Sequence, residues 1–235
     1  MARHDFTRRN LQPELMDQPG LDPAEHARAL AGLRRINRFS GSAAILWPAL
    51  RALAAESPGR TLRVLDVACG GGDVVVALAR RARRAGIRCE FIACDISPVA
   101  LEIARARAEW ANENIEFERR DVLRSLPEGF DLASCSLFVH HLTADEAAAL
   151  LRRMADAAGR VVVNDLRRSR GCFLLAHAAC RLLTRSHVVH VDGPLSIAGA
   201  FTREELAALC QLVGLTGATI DCRWPCRIVV DWRRR

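Results

Sequence analysis

The sequence predicts an α/β fold in which helices cover both faces of one doubly wound, seven-stranded, mostly parallel β-sheet. The chain has 235 residues, which is enough for one well-buried domain. From residue 62 onward, short apolar runs rich in β-branched residues alternate with Ala- and Arg-rich stretches of helical length. This alternation is typical of parallel βαβ units.

The order of the elements follows from the alternation. Helix-like runs separate the first five strand-like runs, except between the third and the fourth. Buried parallel strands are nearly continuously apolar, as residues 161–163 are. We predict strands at 62–67, 89–94, 115–119, 130–135, 159–164, 216–221 and 226–232, and helices at 73–85, 98–112 and 144–156.

Two further helices are predicted within residues 21–57. Asp22 supplies an N-cap and Pro23 a first-turn proline, and Gly41 separates the two helical runs. Residues 1–9 are basic but no apolar run follows them, so we predict neither a secretory signal nor a membrane span, and a cytoplasmic location. We therefore assign residues 1–58 to an N-terminal helical cap and residues 59–235 to the main domain.

The alternation changes after residue 165. Residues 166–200 hold an apolar helix at about 172–183 and a predicted loop through 191–194, and we interpret the segment as a lid insert. Thr202 and Glu205 then form a capping box that opens another helix. The apolar helix and residues 46–50 predict either a hydrophobic chamber or ordinary core.

The composition argues against a nucleic-acid partner and against a disulfide framework. The formal net charge is +7, but the arginines are scattered through helices and the chain has no tyrosine for base stacking. The nine cysteines are odd in number and lie mostly in apolar segments, which predicts reduced, packed thiols. Cys222 and Cys226 give only weak support for zinc.

A glycine turn at residues 64–73 (VLDVACGGGD) is the first sign of a ligand. A strand ends near Asp66, and Gly70 and Gly72 precede a helix. Glycine permits positive φ and close approach of a ligand to the backbone. The turn alone also fits a dinucleotide fingerprint, but Val75 stands where that pattern requires its third glycine.

Acidic residues follow the next two strands. Asp95 ends the second strand and Asp121 follows the third. The carboxyl ends of parallel strands share one edge of the sheet, where open α/β folds bind ligands. An ionised carboxylate at such a position can accept hydrogen bonds from both hydroxyls of a ribose.

Together these motifs resemble the class I S-adenosylmethionine (SAM)-dependent methyltransferases. Residues 64–72 are similar to the first motif of that family, and residues 130–136 resemble its fourth-strand motif beside the transferred methyl. The resemblance spans about residues 60–232 and implies a Rossmann-like sheet whose last strand is antiparallel. It is closest to the small-molecule branch that includes quinone and phenolic-polyketide methyltransferases, in which an N-terminal helical segment and an insert close over the acceptor.

The resemblance implies a role for each matching residue, with SAM as cofactor and S-adenosylhomocysteine (SAH) as product. Asp95 and Ile96 would hold the ribose and adenine, and Asp121 with Val122 the adenine edge. Ser136 lies in the motif beside the methyl. The residues expected around the methionyl part are Asp66, Ala68, Gly70 and Gly72.

Candidate catalytic residues follow the fourth strand at His140 and His141. The pKa of a phenol, ~10, lies about 3.5 units above that of a histidine, ~6.5, so a histidine cannot readily deprotonate a phenol beforehand. It can take the proton while the methyl group transfers, or from a more acidic acceptor. A metal site formed by the two histidines and Asp165 is an alternative, but methyl transfer needs no metal and we predict none. Candidate substrate contacts are Asp165, His177, His187 and His190.

We therefore expect O-methylation of a small, hydrophobic, hydroxylated aromatic or polyketide-like acceptor. C-methylation of a quinone-type ring is the nearest alternative. Two further alternatives are methylation of RNA or protein and a non-catalytic SAM-binding role. The sequence does not decide whether the protein forms a homodimer.

Overall fold

The computed structural model describes residues 6–18 and 20–234; residues 1–5 and 19 of the expected cap and residue 235 lie outside them. The helices are α1 (Pro23–Ser40), α2 (Ser42–Glu56), α3 (Asp73–Arg84), α4 (Pro98–Ala111), α5 (Ala144–Ala157), α6 (Arg170–Leu183), α7 (His187–Gly199) and α8 (Arg203–Leu212). The strands are β1 (Leu62–Val67), β2 (Cys89–Asp95), β3 (Ile115–Arg119), β4 (Phe130–Ser136), β5 (Ala158–Leu166), β6 (Thr219–Arg223) and β7 (Arg227–Arg233). Short 3-10 helices lie at Leu15–Asp17 and Val139–His141.

The strands form one sheet in the order β3-β2-β1-β4-β5-β7-β6. Strands β1 to β5 are parallel, and β7 runs antiparallel to both β5 and β6. The predicted fold class, a mostly parallel seven-stranded sheet with an antiparallel last strand, is confirmed. Strand β6 begins later than the predicted 216–221, because Gly217, with φ of +80°, still belongs to the preceding turn.

Each face of the sheet is covered by an apolar core. Helices α5 and α8 pack on one face around Leu150, Leu151 and Leu206, and helices α2 and α3 pack on the other. Leu46 and Leu50 of α2 are fully buried in that second core. The segment at residues 46–50 is therefore ordinary core and adds nothing to a chamber.

Helices α1, α6 and α7 pack together above the carboxyl edge of the sheet. Ala29, Cys180, Val188 and Val189 form the apolar cluster that joins them. Only one side of α6 is covered, since Leu174 and Leu182 are exposed to solvent. Within the described part of the chain, no helix combines the length and the apolar character needed to cross a membrane.

The predicted loop at 191–194 is wrong, because α7 runs through it and includes His187 and His190. The side-chain oxygen of Ser186 caps this helix by accepting a hydrogen bond from the Val189 N–H. A Cβ at Gly193 would lie 2.3 Å from the Cys180 sulfur, so this glycine permits close contact between α6 and α7. The Gly-Pro pair therefore reflects tertiary packing, which overrides its weak helix propensity.

The predicted N-terminal caps of α1 and α8 are present, and so are the predicted free cysteines. The Asp22 carboxylate accepts hydrogen bonds from the Ala24 and Glu25 N–H groups, and Thr202 and Glu205 form the capping box of α8. All nine cysteines are free thiols, and most are buried.

Candidate active site

A cavity of about 770 Å³ lies at the carboxyl edge of the parallel strands, beneath α1, α6 and α7. This volume is within the range of small-molecule and cofactor sites. The glycine turn and the strand-end acids line one part of its wall, termed the donor end. Apolar side chains line other parts of the wall, and they include Leu33 and Ile36 of α1 together with Ala176 and Ala179 of α6.

The glycine turn has the left-handed backbone expected of it. Gly70 and Gly72 have φ of +53° and +71°. A Cβ on Gly72 would lie 2.8 Å from the Ala104 Cβ of α4, whereas one on Gly70 would meet no protein atom within 4 Å. Ala68 also has positive φ, at +55°. A non-glycine residue in this conformation is strained, and such strain clusters at ligand sites.

Asp95 ties the glycine turn to the second strand. One carboxylate oxygen accepts a hydrogen bond from the Gly70 N–H at 2.8 Å, and the other accepts from the Ser97 N–H at 2.9 Å. Burial raises the pKa of this carboxyl, against the effect of those bonds. The side chain also lines the cavity, so it can meet hydroxyl donors of a ligand.

Asp66 is the buried acid of the donor end. The Ser134 hydroxyl donates a hydrogen bond to its Oδ1 at 2.7 Å. Burial raises the pKa of Asp66 to about 7, and the bond from Ser134 opposes this shift. A buried carboxyl of this kind favours a cationic ligand group, which would stabilise its charged form.

The other residues predicted to bind the cofactor also surround the donor end. Asp121 accepts a hydrogen bond from the Leu123 N–H at 3.0 Å and pairs with Arg124 at 3.1 Å. Gly72 alone of the predicted set does not line the cavity, because it packs against α4. The predicted residues that do line it are Asp66, Ala68, Gly70, Asp95, Ile96, Asp121, Val122 and Ser136.

His140 and His141 contribute to the wall of the same cavity from the segment that follows β4. They belong to the 3-10 helix that follows β4. Leu137, between β4 and this helix, is a second strained residue, with φ of +59°. Both histidines line the cavity. His140 is buried, and its Nδ1 lies 2.6 Å from Oδ1 of Asp165 at the end of β5.

Asp165 holds His140 by two contacts. Its Oδ2 accepts a hydrogen bond from the His140 backbone N–H at 3.0 Å. Burial opposes ionisation of Asp165, but His140 and the Leu166 N–H outweigh it and hold the pKa of the carboxyl below its ordinary value. A carboxylate at Nδ1 places the ring proton there, which leaves Nε2 as the basic nitrogen. Asp165 itself does not line the cavity, and its link to the cavity is its pair of contacts with His140.

Glu14 is a site residue that the sequence did not reveal. Its Oε1 lies 3.8 Å from His140 Nε2, 3.8 Å from His141 Nδ1 and 2.6 Å from the Ser196 hydroxyl, which donates to it. The ligand atoms of Glu14, His140 and His141 lie close enough together to share a metal ion. The acid of such a site is therefore Glu14 and not the Asp165 of the predicted alternative. Glu14 stands in an irregular N-terminal segment, where no pattern marks it.

The three remaining predicted substrate residues are not brought to the cavity. His187 is exposed at the start of α7. His190 makes a 2.8 Å contact from its Nε2 to the Thr184 carbonyl oxygen. His177 lies in the middle of α6, where the cavity is lined by its neighbours Ala176 and Ala179.

Comparison with known proteins agrees with this geometry. Residues 64–159 match a family described as a methyltransferase domain. The chain is 28% identical over 128 residues to a ubiquinone biosynthesis O-methyltransferase of Xylella fastidiosa. The aligned part is 52% of this chain and 49% of that protein. It is 35% identical over 118 residues to a demethylmenaquinone methyltransferase of Deinococcus radiodurans, covering 48% and 47%. The chain thus spans about half the length of these curated relatives.

The fold also has solved counterparts. A magnesium protoporphyrin IX methyltransferase from Synechocystis PCC 6803, solved with bound SAM, superimposes with a TM-score of 0.54. The match covers 94% of this chain and 88% of that one at 15% identity, which shows a shared fold.

The fold, the donor end and these matches define the class. The protein has the class I SAM-dependent methyltransferase domain that its sequence predicted, and SAM is confirmed as its cofactor. Within that class, its relatives include quinone methyltransferases, as the predicted small-molecule branch requires.

Proposed function

We propose that this protein transfers the methyl group of SAM to a hydroxyl oxygen of a small, hydrophobic aromatic molecule. The observation that carries the proposal is the position of His140, which Asp165 holds in the wall of a cavity that includes both the donor end and the apolar side chains that we take as the acceptor end. The similarity to an O-methyltransferase of ubiquinone biosynthesis supports an aromatic hydroxyl as the acceptor.

At the donor end, the proposed contacts follow from charge and hydrogen-bonding capacity. Asp66 would balance the positive charge of the SAM methionyl group, since its buried carboxylate lacks a cationic partner among the described residues. Asp95 would accept hydrogen bonds from the ribose hydroxyls, and Asp121 with Val122 would bound the adenine. Gly70 and Ala68 would let the ligand approach the backbone.

At the acceptor end, the methyl group moves in one displacement. The acceptor oxygen forms a bond to the methyl carbon as the sulfur–methyl bond breaks, and that electron pair returns to sulfur to give SAH. The hydroxyl proton goes to Nε2 of His140, and Asp165 stabilises the resulting imidazolium. Alignment of acceptor, methyl and sulfur is the main contribution of the protein, worth up to about 7–11 kcal/mol in favourable cases.

C-methylation is a second candidate, because the Deinococcus relative is a demethylmenaquinone methyltransferase. A hydroxylated ring that loses its proton to His140 also becomes nucleophilic at a ring carbon. Product analysis after turnover with methyl-labelled SAM and a panel of phenols and quinols separates the two. A label on oxygen supports O-methylation, a label on carbon supports the second candidate, and SAM binding without any labelled product contradicts both.

The cover over the cavity is part of the proposal. Helices α1, α6 and α7 enclose the acceptor end, so residues 1–58 and the 166–200 insert would act as cap and lid. The sequence leaves a homodimer open, and size-exclusion chromatography with light scattering measures that state directly.

A further inference from the structure

Arg227 is a buried cation in the wall of the cavity. It begins β7, lines the cavity and is only 2% exposed. It forms no ion pair with a carboxylate of residues 6–18 or 20–234. Burying a charge without a counter-charge is costly, so a protein keeps such a group where something compensates for it.

The contacts that Arg227 does make are with neutral groups. Its Nη2 donates to the Ser40 hydroxyl at 2.6 Å and lies 3.4 Å from Oδ1 of Asn37. Its Nε–H has no hydrogen-bond partner among the described residues. Burial lowers the pKa of Arg227 to about 10, and the more distant charges of Asp165 and Asp73 reduce this shift without reversing it. Two contacts from α1 therefore orient the guanidinium, and donor capacity remains.

Neighbouring strands carry further buried polar atoms without partners on the same face of the sheet. Asn164 of β5 is fully buried, and neither its amide nitrogen nor its amide oxygen has a partner in the described structure. Ser136 of β4 is its cross-strand neighbour and has an unpaired hydroxyl. Arg227 pairs in register with Leu166, two residues beyond Asn164, so all three side chains share one face. Such a row of unsatisfied groups indicates polar atoms of a ligand or water.

We propose that Arg227 binds a carboxylate of the methyl acceptor, so that the acceptor is a hydroxylated aromatic acid. The inference rests on the proposed function and narrows its substrate class. A guanidinium presents a planar fork of N–H donors that matches a carboxylate in two parallel hydrogen bonds. The apolar side chains Leu33 and Ile36 of α1 line the same cavity and would cover the ring of such a molecule.

The position of Arg227 favours the acceptor over the donor as the source of the carboxylate. SAM has a carboxylate of its own, expected at the end of β1. In the sheet order, β7 lies three strands from β1, which is about 14 Å at the usual strand spacing. However, Asn37 contacts both Arg227 and Asp73, the last residue of the glycine turn. The experiment must therefore distinguish the two sources.

The test measures binding by calorimetry to the SAH-loaded protein, so that it does not depend on turnover. The probes are matched pairs, each a hydroxylated aromatic acid and its primary amide, such as hydroxynaphthoic acids and their amides. We expect the acids to bind roughly 10- to 100-fold more tightly than the amides, as for a charged hydrogen bond. Equal affinity of acid and amide, or no binding of either across the panel, would overturn the proposal.

Variants assign the effect to the residue. Arg227→Met should abolish the preference for acids, Arg227→Lys should retain part of it, and both should bind SAM as the wild type does. Arg223→Met is the matched control, because Arg223 is the exposed cross-strand partner of Arg227 in the β6–β7 hairpin. An acid preference that survives in Arg227→Met would contradict the assignment. Weaker SAM binding in that variant, with the acid preference kept, would make the donor carboxylate the ligand.

The two proposals can fail separately. Preferential binding of acids without any methylated product would support Arg227 as an anion site and contradict the proposed methyl transfer. Methylation of acid and amide with equal kcat/KM would support methyl transfer and contradict the role of Arg227. If Arg227→Met does not fold, the acid–amide comparison on the wild-type protein still decides the substrate class.

Discussion

Nδ1 of His140 lies 2.6 Å from one oxygen of Asp165, and the backbone N–H of His140 donates to the other oxygen at 3.0 Å. The carboxylate thus holds both the ring and the peptide of the same residue. Because the two residues come from the ends of β4 and β5, which are adjacent parallel strands, their contact is a direct product of the sheet topology. The arrangement leaves Nε2 of His140 outside the contact with Asp165, at 3.8 Å from Oε1 of Glu14, which also lines the cavity.

His140 is expected to be needed for turnover and not for donor binding. His140→Ala should lower kcat by about 10²- to 10⁴-fold, the usual contribution of a positioned base. His141→Ala, which removes the neighbouring ring, should have a smaller effect. The SAM dissociation constant should change little in either variant. His187→Ala is the control, because His187 is exposed and outside the cavity. Full activity in both cavity variants would mean that the base lies elsewhere.

Asp165 is expected to act by orienting His140. Asp165→Asn keeps the shape of the side chain, but its amide can donate to Nδ1 and so favour the tautomer with the proton on Nε2. That nitrogen could then no longer accept a proton, and kcat should fall about as far as in His140→Ala. The double variant should be no slower than either single one, because the two residues act as a unit. Additive losses would show that they act independently.

The affinity for SAM should depend on pH through Asp66. Burial raises the pKa of this carboxyl to about 7 in the free protein. A cationic ligand binds better to the ionised form, so affinity should weaken as pH falls below 7, by up to about tenfold per unit. Calorimetry between pH 5.5 and 7 measures this, since the amino group of SAM stays charged there. Asp66→Asn should bind weakly at all pH values. A constant affinity in the wild-type protein would remove Asp66 from the charge balance.

Asp95 is expected to contribute more to SAM binding than any other acid of the site, since it combines two roles. It holds the Gly70 N–H, and it would accept hydrogen bonds from the ribose. Asp95→Ala should weaken SAM binding by about 10- to 1000-fold, as for the loss of one or two charged hydrogen bonds. Asp95→Asn keeps one carbonyl acceptor and should lose less. Wild-type affinity of the alanine variant would contradict the ribose assignment.

The donor end could be predicted because its residues follow one another in a local pattern. The turn from Asp66 to Gly72 and the acid at Asp95 each follow a strand, and parallel strands bring such ends to one edge. At the acceptor end, His140 could be predicted for the same reason, because it follows the fourth strand. Glu14 and Arg227 could not, since they come from distant segments and reach the cavity only through tertiary packing. Likewise, Gly193 indicated a turn, whereas its role is to let α7 approach Cys180.

Metal ions are expected to inhibit the proposed reaction rather than support it. In the mechanism, Nε2 of His140 must be open to receive a proton, yet this atom and Nδ1 of His141 both lie 3.8 Å from the Glu14 carboxylate. A zinc ion held by these three groups would occupy the lone pair of Nε2. Turnover should therefore be unchanged after prolonged chelation and should fall when zinc is added.

The variant Glu14→Gln tests this site, because it removes the anionic ligand and leaves both histidines in place. It should require a higher zinc concentration for half-inhibition, while its SAM affinity should equal that of the wild type. Glu204→Gln, on the exposed first turn of α8, is the control and should be inhibited as the wild type is. Loss of activity on chelation, with recovery on adding a divalent ion, would show instead that a metal activates the acceptor and that His140 is its ligand.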